Sequence, residues 1–280
     1  MILAIILVAA LFVSIGSYID KHLVNKGISR NDYFYYMCLS MIPFSIIMII
    51  VEIVTNNFKF EFSIVPVILL IIAMYVRYKK QHTIVGCLTY LKPYESSVYV
   101  SLGIILAFII DGIIGIKQFS LITFAAIALT LLGVFILADV KLKIKTLQKD
   151  LIIRIVCDVC MGYLTHYILK YWSNASFILL LNLLLTLIFS KGYTWEYHKK
   201  HKELIKWVFI QQLFGFSELY MGNYLASNSV VLSSFVRPVA IVITILIAFV
   251  IKSDGKKPKW SDVLAVLLVA GGIALLNLTL

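Results

Sequence analysis

The stretch Lys141-Leu-Lys-Ile-Lys-Thr-Leu-Gln-Lys-Asp150 lies at the middle of the chain and separates two strongly apolar halves. Of the 280 residues, 61% are hydrophobic and only 14% are charged, and the mean hydropathy is +0.98. Soluble domains carry about 25% charged residues, so this composition excludes a soluble globular domain. Runs of about 20 apolar residues recur on both sides of the basic stretch and match the hydrocarbon core of a bilayer. The sequence therefore predicts an all-α polytopic membrane protein.

Five apolar segments precede the basic stretch and five follow it, which predicts ten transmembrane helices. We place the segments at 2–20, 32–54, 63–89, 95–115, 119–138, 151–171, 174–190, 204–226, 229–251 and 261–279. Because the number in each half is odd, the second half crosses the membrane in the opposite direction to the first. The predicted organisation is two inverted five-helix repeats, residues 1–145 and residues 146–280.

Positive charges fall mostly on one side of this ten-helix arrangement. Of the 25 Lys and Arg residues, 21 lie in or beside the connections of one face, three lie on the other, and Arg237 lies within a segment. Cationic loops resist translocation, so the crowded face is predicted to be cytoplasmic and both termini extracytoplasmic. The expected location is the cell (plasma) membrane, with the lipid bilayer as partner. The net charge of +11 reflects this topology and does not indicate nucleic-acid binding.

The cysteines do not form a metal or catalytic motif. Cys157 and Cys160 form a CxxC inside a predicted helix, with no second CxxC in the chain, so we expect small buried thiols. The sequence also lacks an ATP-binding loop, a paired-aspartate motif, an acyltransferase motif and a serine or cysteine elbow. We therefore expect no catalytic residues, no metal site and no cofactor.

Ionisable residues inside the predicted helices mark the candidate site. Asp158, His166, Glu218 and Arg237 lie in apolar segments, where each costs roughly 2.5–3.5 kcal/mol unless it has a partner or a wet cavity. Counting along the helices places Glu218 and Arg237 at about 12 Å from the outer end of segments eight and nine. These two residues are predicted to form either a structural ion pair or a substrate or proton site.

Further polar and aromatic side chains predict that segments three, four, eight and nine line a central cavity. The side chains are those of Tyr99, Gln211, Gln212, Phe214, Tyr220 and Asn223. The aromatic rings either pack in the core or stack on an organic cation with Glu218 as counter-charge. By contrast, Tyr33, Tyr35 and Tyr36 are predicted to belong to an aromatic belt at the membrane surface.

Segment three contains the polar stretch Arg77-Tyr-Lys-Lys-Gln-His82. Either these residues form a cytoplasmic mouth with side chains that extend outward to water, or the helix breaks and its cations reach the cavity. By depth, Arg77 is predicted to meet Asp158 near the cytoplasmic end.

The stretch from Ser227 to Pro238, SNSVVLSSFVRP, together with the glycine-containing ends of segments five and ten, carries a family resemblance. With its five-plus-five layout, nearly the whole chain resembles the drug/metabolite transporter superfamily, in its ten-helix EamA-like branch. The acidic residue that commonly ends segments four and nine in that family is out of register here, where Asp111 and Asp254 lie nearby. In the phosphate-exchanging relatives segment nine carries a Lys-Arg pair, of which Arg237-Pro238 matches only the first cation.

The resemblance implies a secondary transporter or exchanger of a small polar metabolite that works by alternating access. Its partner would be a small-molecule substrate, and coupling to protons or to a counter-substrate is left open. A flippase for a polyprenyl- or lipid-linked substrate shares the same features and is the alternative. An integral membrane enzyme is a third class, which the absent catalytic motifs disfavour.

Overall fold

The structure, a computed structural model, describes residues 1–116, 120–138, 149–251 and 260–277. Apart from an isolated β-bridge between Phe60 and Trp172, the regular elements of these ranges are all helices. They are α1 (Ile2–Asn25), α2 (Arg30–Val54), α3 (Ile64–Tyr90), α4 (Pro93–Ser101), α5 (Gly103–Ile113), α6 (Leu121–Ala138), α7 (Lys149–Ile168), α8 (Asn174–Phe189), α9 (Trp195–Lys200), α10 (Lys202–Asn228), α11 (Val230–Ser234), α12 (Val236–Ile251) and α13 (Trp260–Asn277). Most of the mid-chain basic stretch, and Asp254, lie outside the described residues.

The helices form where the apolar segments predict them. Each segment corresponds to one helix, except that segments four and nine each form two consecutive helices, α4–α5 and α11–α12. In the described ranges, five spans are long and apolar enough to cross a membrane: 2–25, 30–54, 95–113, 149–168 and 230–247. Helices α6, α8 and α13 are apolar but shorter, whereas α3 and α10 carry the charged and amide side chains considered below. The chain is therefore an all-α membrane protein.

The outward faces of the helices are covered by large apolar side chains. Ile47 of α2 is 58% exposed, and Ile71 of α3 and Leu187 of α8 are each 62% exposed. A soluble protein rarely exposes contiguous apolar patches of this kind, whereas lipid tails solvate them well. The apolar exterior leaves the polar side chains of α3 and α10 to face inward.

Segments four and nine each contain one tightened helical turn. It lies at Leu102 between α4 and α5, and at Phe235 between α11 and α12; both residues keep right-handed helical dihedral angles, and their amides bond three residues back. Pro238 accounts for the second of these turns, because it has no amide hydrogen to donate to the carbonyl of Ser234. Helix α11 packs against α5 and α12 packs against α4, so the two segments lie antiparallel to each other.

The core consists of two main apolar clusters. One joins the first half of α1 to α5, α6, α11, α12 and α13, and the other joins α2, α3, α8 and α10 to the end of α1 and part of α7. In the first cluster α6 and α13 approach closely: a Cβ on Gly272 would lie 2.6 Å from the carbonyl oxygen of Ala126. Small residues permit such backbone contact between membrane helices.

Two buried carboxylates cap helices and do not line the cavity. Glu52, at the end of α2, accepts a hydrogen bond of 2.9 Å from the amide of Ala175 in the first turn of α8. Asp111 of α5 accepts one of 2.8 Å from the hydroxyl of Ser229, the residue that precedes α11. Carboxylates stabilise helix N-termini because the first amides there have no partner within the helix.

The short helix α9 docks against the start of α2. The phenols of Tyr193 and Tyr197 donate hydrogen bonds of 3.0 and 2.8 Å to Asp32. Burial, and then the neighbouring Asp32 carboxylate, raise the pKa of both phenols, so they stay protonated donors. The stretch before α10 is therefore held against the bundle at this end.

Candidate functional site

Two ion pairs lie side by side inside the bundle. Arg237 of α12 donates a hydrogen bond of 3.1 Å to Glu218 of α10, and Lys80 of α3 forms an ion pair with Asp158 of α7. The side chains of Glu218 and Arg237 are 29% and 14% exposed, so the pair is in contact with a cavity and not sealed in the core. Charges from four helices thus meet in one layer, which we call the ion-pair layer.

A polar cavity extends to both sides of the ion-pair layer. Its first lobe is bounded by α1, α2, α3, α7, α10 and α12, and its second lobe by α3, α7, α10, α11 and α12. Both lobes are lined by Lys80, Glu218, Leu219 and Arg237, so these side chains stand between them. The first lobe lies toward the end of the bundle where α1 ends and α2 begins, and the second toward the opposite end.

The first lobe contains an arginine that forms no ion pair with any described residue. Arg77 is 3% exposed and lies thirteen residues from either end of α3. Its closest polar neighbours are two thioethers, with Nη2 at 3.4 Å from Sδ of Met41 and 3.9 Å from Sδ of Met37. Among the described residues no atom accepts a hydrogen bond from its Nε. The guanidinium is therefore buried and incompletely satisfied.

Two further groups, Arg154 and Asp20, complete the charged lining of this lobe. Arg154 of α7 is 6% exposed and donates a hydrogen bond of 2.5 Å to the hydroxyl of Ser96. Asp20 of α1 accepts one of 2.7 Å from the phenol of Tyr33. Asp20 was not predicted as a site residue, because the first apolar run ends at residue 20, whereas α1 continues to Asn25. Arg154, near the start of segment six, was counted with the cytoplasmic face, although it lies within α7 and lines this lobe.

Amide side chains add neutral polar groups to the lining. Gln211 and Gln212 are 7% and 1% exposed and contact each other, and both line the first lobe. The Oε1 atom of Gln212 has no hydrogen-bond donor among the described residues. A Cβ on Gly215 would lie 3.1 Å from that atom, so the glycine leaves room for the amide. Asn223 lines the second lobe and donates a hydrogen bond of 2.8 Å to Asn174.

Four predicted site residues are not among the side chains that line the two lobes. Tyr220 donates its hydroxyl to the capping residue Glu52 at 2.9 Å, and Phe214 packs against Phe12 with ring centroids 6.0 Å apart. Both are on α10, but their contacts are with neighbouring helices and not with either lobe, which differs from the prediction that they line the cavity.

The other two are buried in contacts between helices. Tyr99 is 2% exposed and packs in a small apolar cluster with Leu91 and Leu151. Nδ1 of His166 lies 2.9 Å from the carbonyl oxygen of Ala226. Segment four contributes no lining side chain among the described residues, whereas segments one, two and six do, which corrects the predicted set of cavity helices.

Segment three also differs from both of its predicted forms. Helix α3 is continuous through the polar stretch, so it is not broken. Arg77 and Gln81 are 3% and 6% exposed, so these side chains do not extend outward to water as a cytoplasmic mouth would require. The partner of Asp158 is Lys80 and not Arg77. Lys80 lies on nearly the same face of α3 as Arg77 but one turn further along the helix, so its side chain reaches a different part of α7.

Two smaller expectations are likewise wrong. Tyr33, Tyr35 and Tyr36 are buried and not part of an interfacial belt, and Tyr33 lines the first lobe. Cys160 is exposed and Cys157 is half-buried, so the CxxC does not consist of two buried thiols.

Comparison with known proteins shows the fold and no more. No protein-family model matches the chain, and no curated protein matches it. Solved structures of 25 chains match. One, described only as "Crystal structure of protein", is similar with a TM-score of 0.57 and 15% identity, over 97% of this chain and 99% of that chain. The arrangement of helices is thus shared with a known structure from end to end.

Proposed function

We propose that the protein is a secondary transporter or exchanger of a small polar solute, which works by alternating access in the cell membrane. The observation that carries this proposal is the pair of polar lobes that adjoin at one layer of ion pairs. A solute site open in turn to each side of a membrane needs two such cavities with a gate between them. The ion-pair layer is the proposed gate, with no catalytic role.

Helix packing supports a ten-helix arrangement in two inverted repeats, residues 1–145 and 146–280. In the two repeats α7 is the counterpart of α1, and α10 is the counterpart of α3. Helix α1 packs against α10, and α7 packs against α3 in the same way. Helices α2 and α8, and likewise α6 and α13, pack directly against their own counterparts. A pseudo-two-fold axis between the halves would produce this exchange of partners. Inverted repeats of this kind allow a protein to alternate between two related conformations.

The packing of segments four and nine agrees with the inverted repeat. These two segments are counterparts in the two halves, and they lie antiparallel and in contact with each other. The resemblance of the sequence to the EamA-like branch of the drug/metabolite transporters is consistent with the same function.

The charge asymmetry supports extracytoplasmic termini. Arg77, Lys80 and Arg154 line the cavity and so do not contribute to loop charge, but 18 cations still lie at the predicted cytoplasmic face against three at the other. A reporter that is active only in the cytoplasm should be active when fused after Lys257 and silent after Leu280. The reverse pattern would overturn the topology. In this orientation the first lobe opens toward the cytoplasm.

The exposed ion pair between Arg30 and Asp150 provides a substrate-independent test of alternating access. It joins α2 to α7 at 3.0 Å, at the end of the bundle toward which the first lobe lies. Cysteines at these two positions, in a chain whose native cysteines are replaced by alanine, permit a tether with a short thiol cross-linker. Reporter cysteines are then placed singly at Ser17 in the first lobe and at Ser233 in the second. Labelling by a membrane-impermeant maleimide is measured on sealed vesicles of each orientation.

Alternating access predicts reciprocal changes in labelling. The tether should slow labelling at position 17 by about tenfold or more and accelerate labelling at position 233, because closing one end favours opening the other. The untethered double-cysteine chain is the control. A static pocket, such as that of a receptor or enzyme, would lose labelling at position 17 with no change at position 233. That result would exclude the proposed function.

A further inference from the structure

Arg77 is a buried cation that forms no ion pair among the described residues. Its side chain lines the first lobe, is 3% exposed, and lies beside two thioethers instead of a carboxylate. An isolated buried charge is unfavourable unless it is paired or hydrogen-bonded, and thioether sulfur is a weak acceptor. The two methionines fill space around the guanidinium but do not neutralise it.

The acids of the cavity are already engaged by other groups. Asp158 pairs with Lys80, Glu218 pairs with Arg237, and Asp20 accepts the hydroxyl of Tyr33. Neither Arg77 nor Arg154 forms an ion pair with a carboxylate in the described part of the chain.

Cations therefore exceed acids around the cavity: of the described side chains that line it, four are Lys or Arg and three are Asp or Glu. An additional negative charge in the first lobe would balance them. Glu218 was the predicted counter-charge for an organic cation. Its carboxylate is already paired with Arg237, so the site is less suited to a cation than to an anion.

We propose that the first lobe binds an oxyanion, the carboxylate or phosphate group of a polar organic solute, on the guanidinium of Arg77. The planar fork of an arginine matches the two oxygens of such a group and forms charge-assisted hydrogen bonds with them. Gln212, whose Oε1 lacks a donor, would accept a hydroxyl or amine of the same solute. The inference rests on the proposed function for the role of the anion as transported solute, but anion binding itself does not require transport.

An oxyanion with these contacts has two sources, a soluble metabolite or the headgroup of a lipid-linked phosphate. Both are probed with matched pairs that differ only by the anionic group: glucose 6-phosphate and glucose for the soluble source, and a short polyprenyl phosphate and its alcohol for the lipid source. Malate and malamide are the carboxylate pair. Binding is measured on the purified full chain by calorimetry and by the shift of the thermal unfolding midpoint.

We expect at least one anionic probe to bind while its neutral match does not. Arg77→Gln should weaken that binding by roughly tenfold or more, the loss typical of removing a charged hydrogen-bonding partner. Lys79→Gln is the matched control. It removes a cation two residues away that lies over the rings of Tyr75 and Tyr78 and does not line the cavity, so affinity should be unchanged. Arg77→Lys keeps the charge without the fork, and we expect an intermediate affinity.

Three results would overturn the oxyanion site: no anionic probe binds, neutral and anionic probes bind equally, or Arg77→Gln and Lys79→Gln have the same effect. If Arg77→Gln does not fold, the comparison of Arg77→Lys with the wild type decides. Tighter binding of the polyprenyl phosphate would assign the lipid source, and of the sugar phosphate or malate the soluble one. The two experiments separate the two proposals. Anion binding that depends on Arg77, without reciprocal labelling, would exclude transport and support the oxyanion site. Reciprocal labelling without anion binding would support transport and exclude the oxyanion site.

Discussion

Replacing Arg77 with methionine should stabilise the ligand-free protein, although most substitutions of buried residues do the opposite. The guanidinium carries five N–H donors, and the described residues offer it two thioethers and no carboxylate. Methionine is about as long as the aliphatic part of arginine and would join Met37 and Met41 in an apolar cluster. The variant therefore removes a buried charge and leaves the packing around it nearly intact.

The size of the effect follows from the burial of Arg77. Removing buried charges in favour of well-packed apolar side chains is neutral or stabilises by about 1–4 kcal/mol, and a site that borders a polar cavity belongs in the middle of that range. We therefore expect the free energy of unfolding to rise by about 2 kcal/mol. For a chain of this size, the unfolding midpoint should rise by about 3–4 °C.

The assay is thermal unfolding of the purified protein, followed by tryptophan fluorescence in a buffer whose anion is chloride alone. Lys79→Met is the control, because Lys79 lies over the rings of Tyr75 and Tyr78 and is not part of the cavity lining; this variant should lose at most about 1 kcal/mol. An anion that binds at Arg77 should raise the midpoint of the wild type and leave that of Arg77→Met unchanged. A lower midpoint for Arg77→Met than for the wild type would show that the guanidinium has a structural role, and would refute the reasoning.

Three further predictions concern the ion pair, the helix cap and the glycine contact, each measured by thermal unfolding. Glu218→Gln should lower the stability by about 2 kcal/mol, less than for a fully buried pair because both side chains are partly exposed. The charge swap Glu218→Arg with Arg237→Glu should be nearly as stable as the wild type, and a swap no more stable than Glu218→Gln would contradict this. Glu52→Gln should cost about 1–2 kcal/mol, since it removes the charge that caps α8, and no loss would mean that the cap is unimportant. Gly272→Ala should lower the stability by about 1–3 kcal/mol, because the added Cβ overlaps α6. Gly271→Ala is the control: its Cβ meets nothing within 4 Å, so the variant should be neutral or slightly stabilising. Equal effects of the two variants would refute the close packing of α6 and α13.

The amino-acid sequence by itself determined the class of the protein and the position of its helices. Apolar runs of about membrane length are decisive because a backbone in lipid must satisfy its hydrogen bonds internally, and a helix does so within one segment. The sequence also identified Glu218 and Arg237 as partners, because they are of opposite charge, lie on consecutive helices and have similar depth. Their ion pair at 3.1 Å agrees with that prediction.

Tertiary structure decided which polar residues face the cavity. The rotation of a helix about its axis cannot be read from its sequence when the helix is apolar on most sides. Spacing alone therefore did not reveal that Gln211 and Gln212 line the cavity while Tyr220 and Phe214 pack against other helices. Tyr99 is buried for the same reason: its direction depends on how α4 packs against its neighbours.

Charges near the predicted helix ends show the same limit most clearly. Arg77 was placed in a cytoplasmic mouth and Arg154 was counted with the cytoplasmic face, because a charge close to the end of an apolar run is usually solvated. Asp20, at the end of the first apolar run, was not predicted as a site residue. In the folded chain neighbouring helices enclose all three side chains around a polar cavity. Whether a charge near a helix end reaches water or a cavity depends on which helices surround it, and that is a property of the packing and not of the segment.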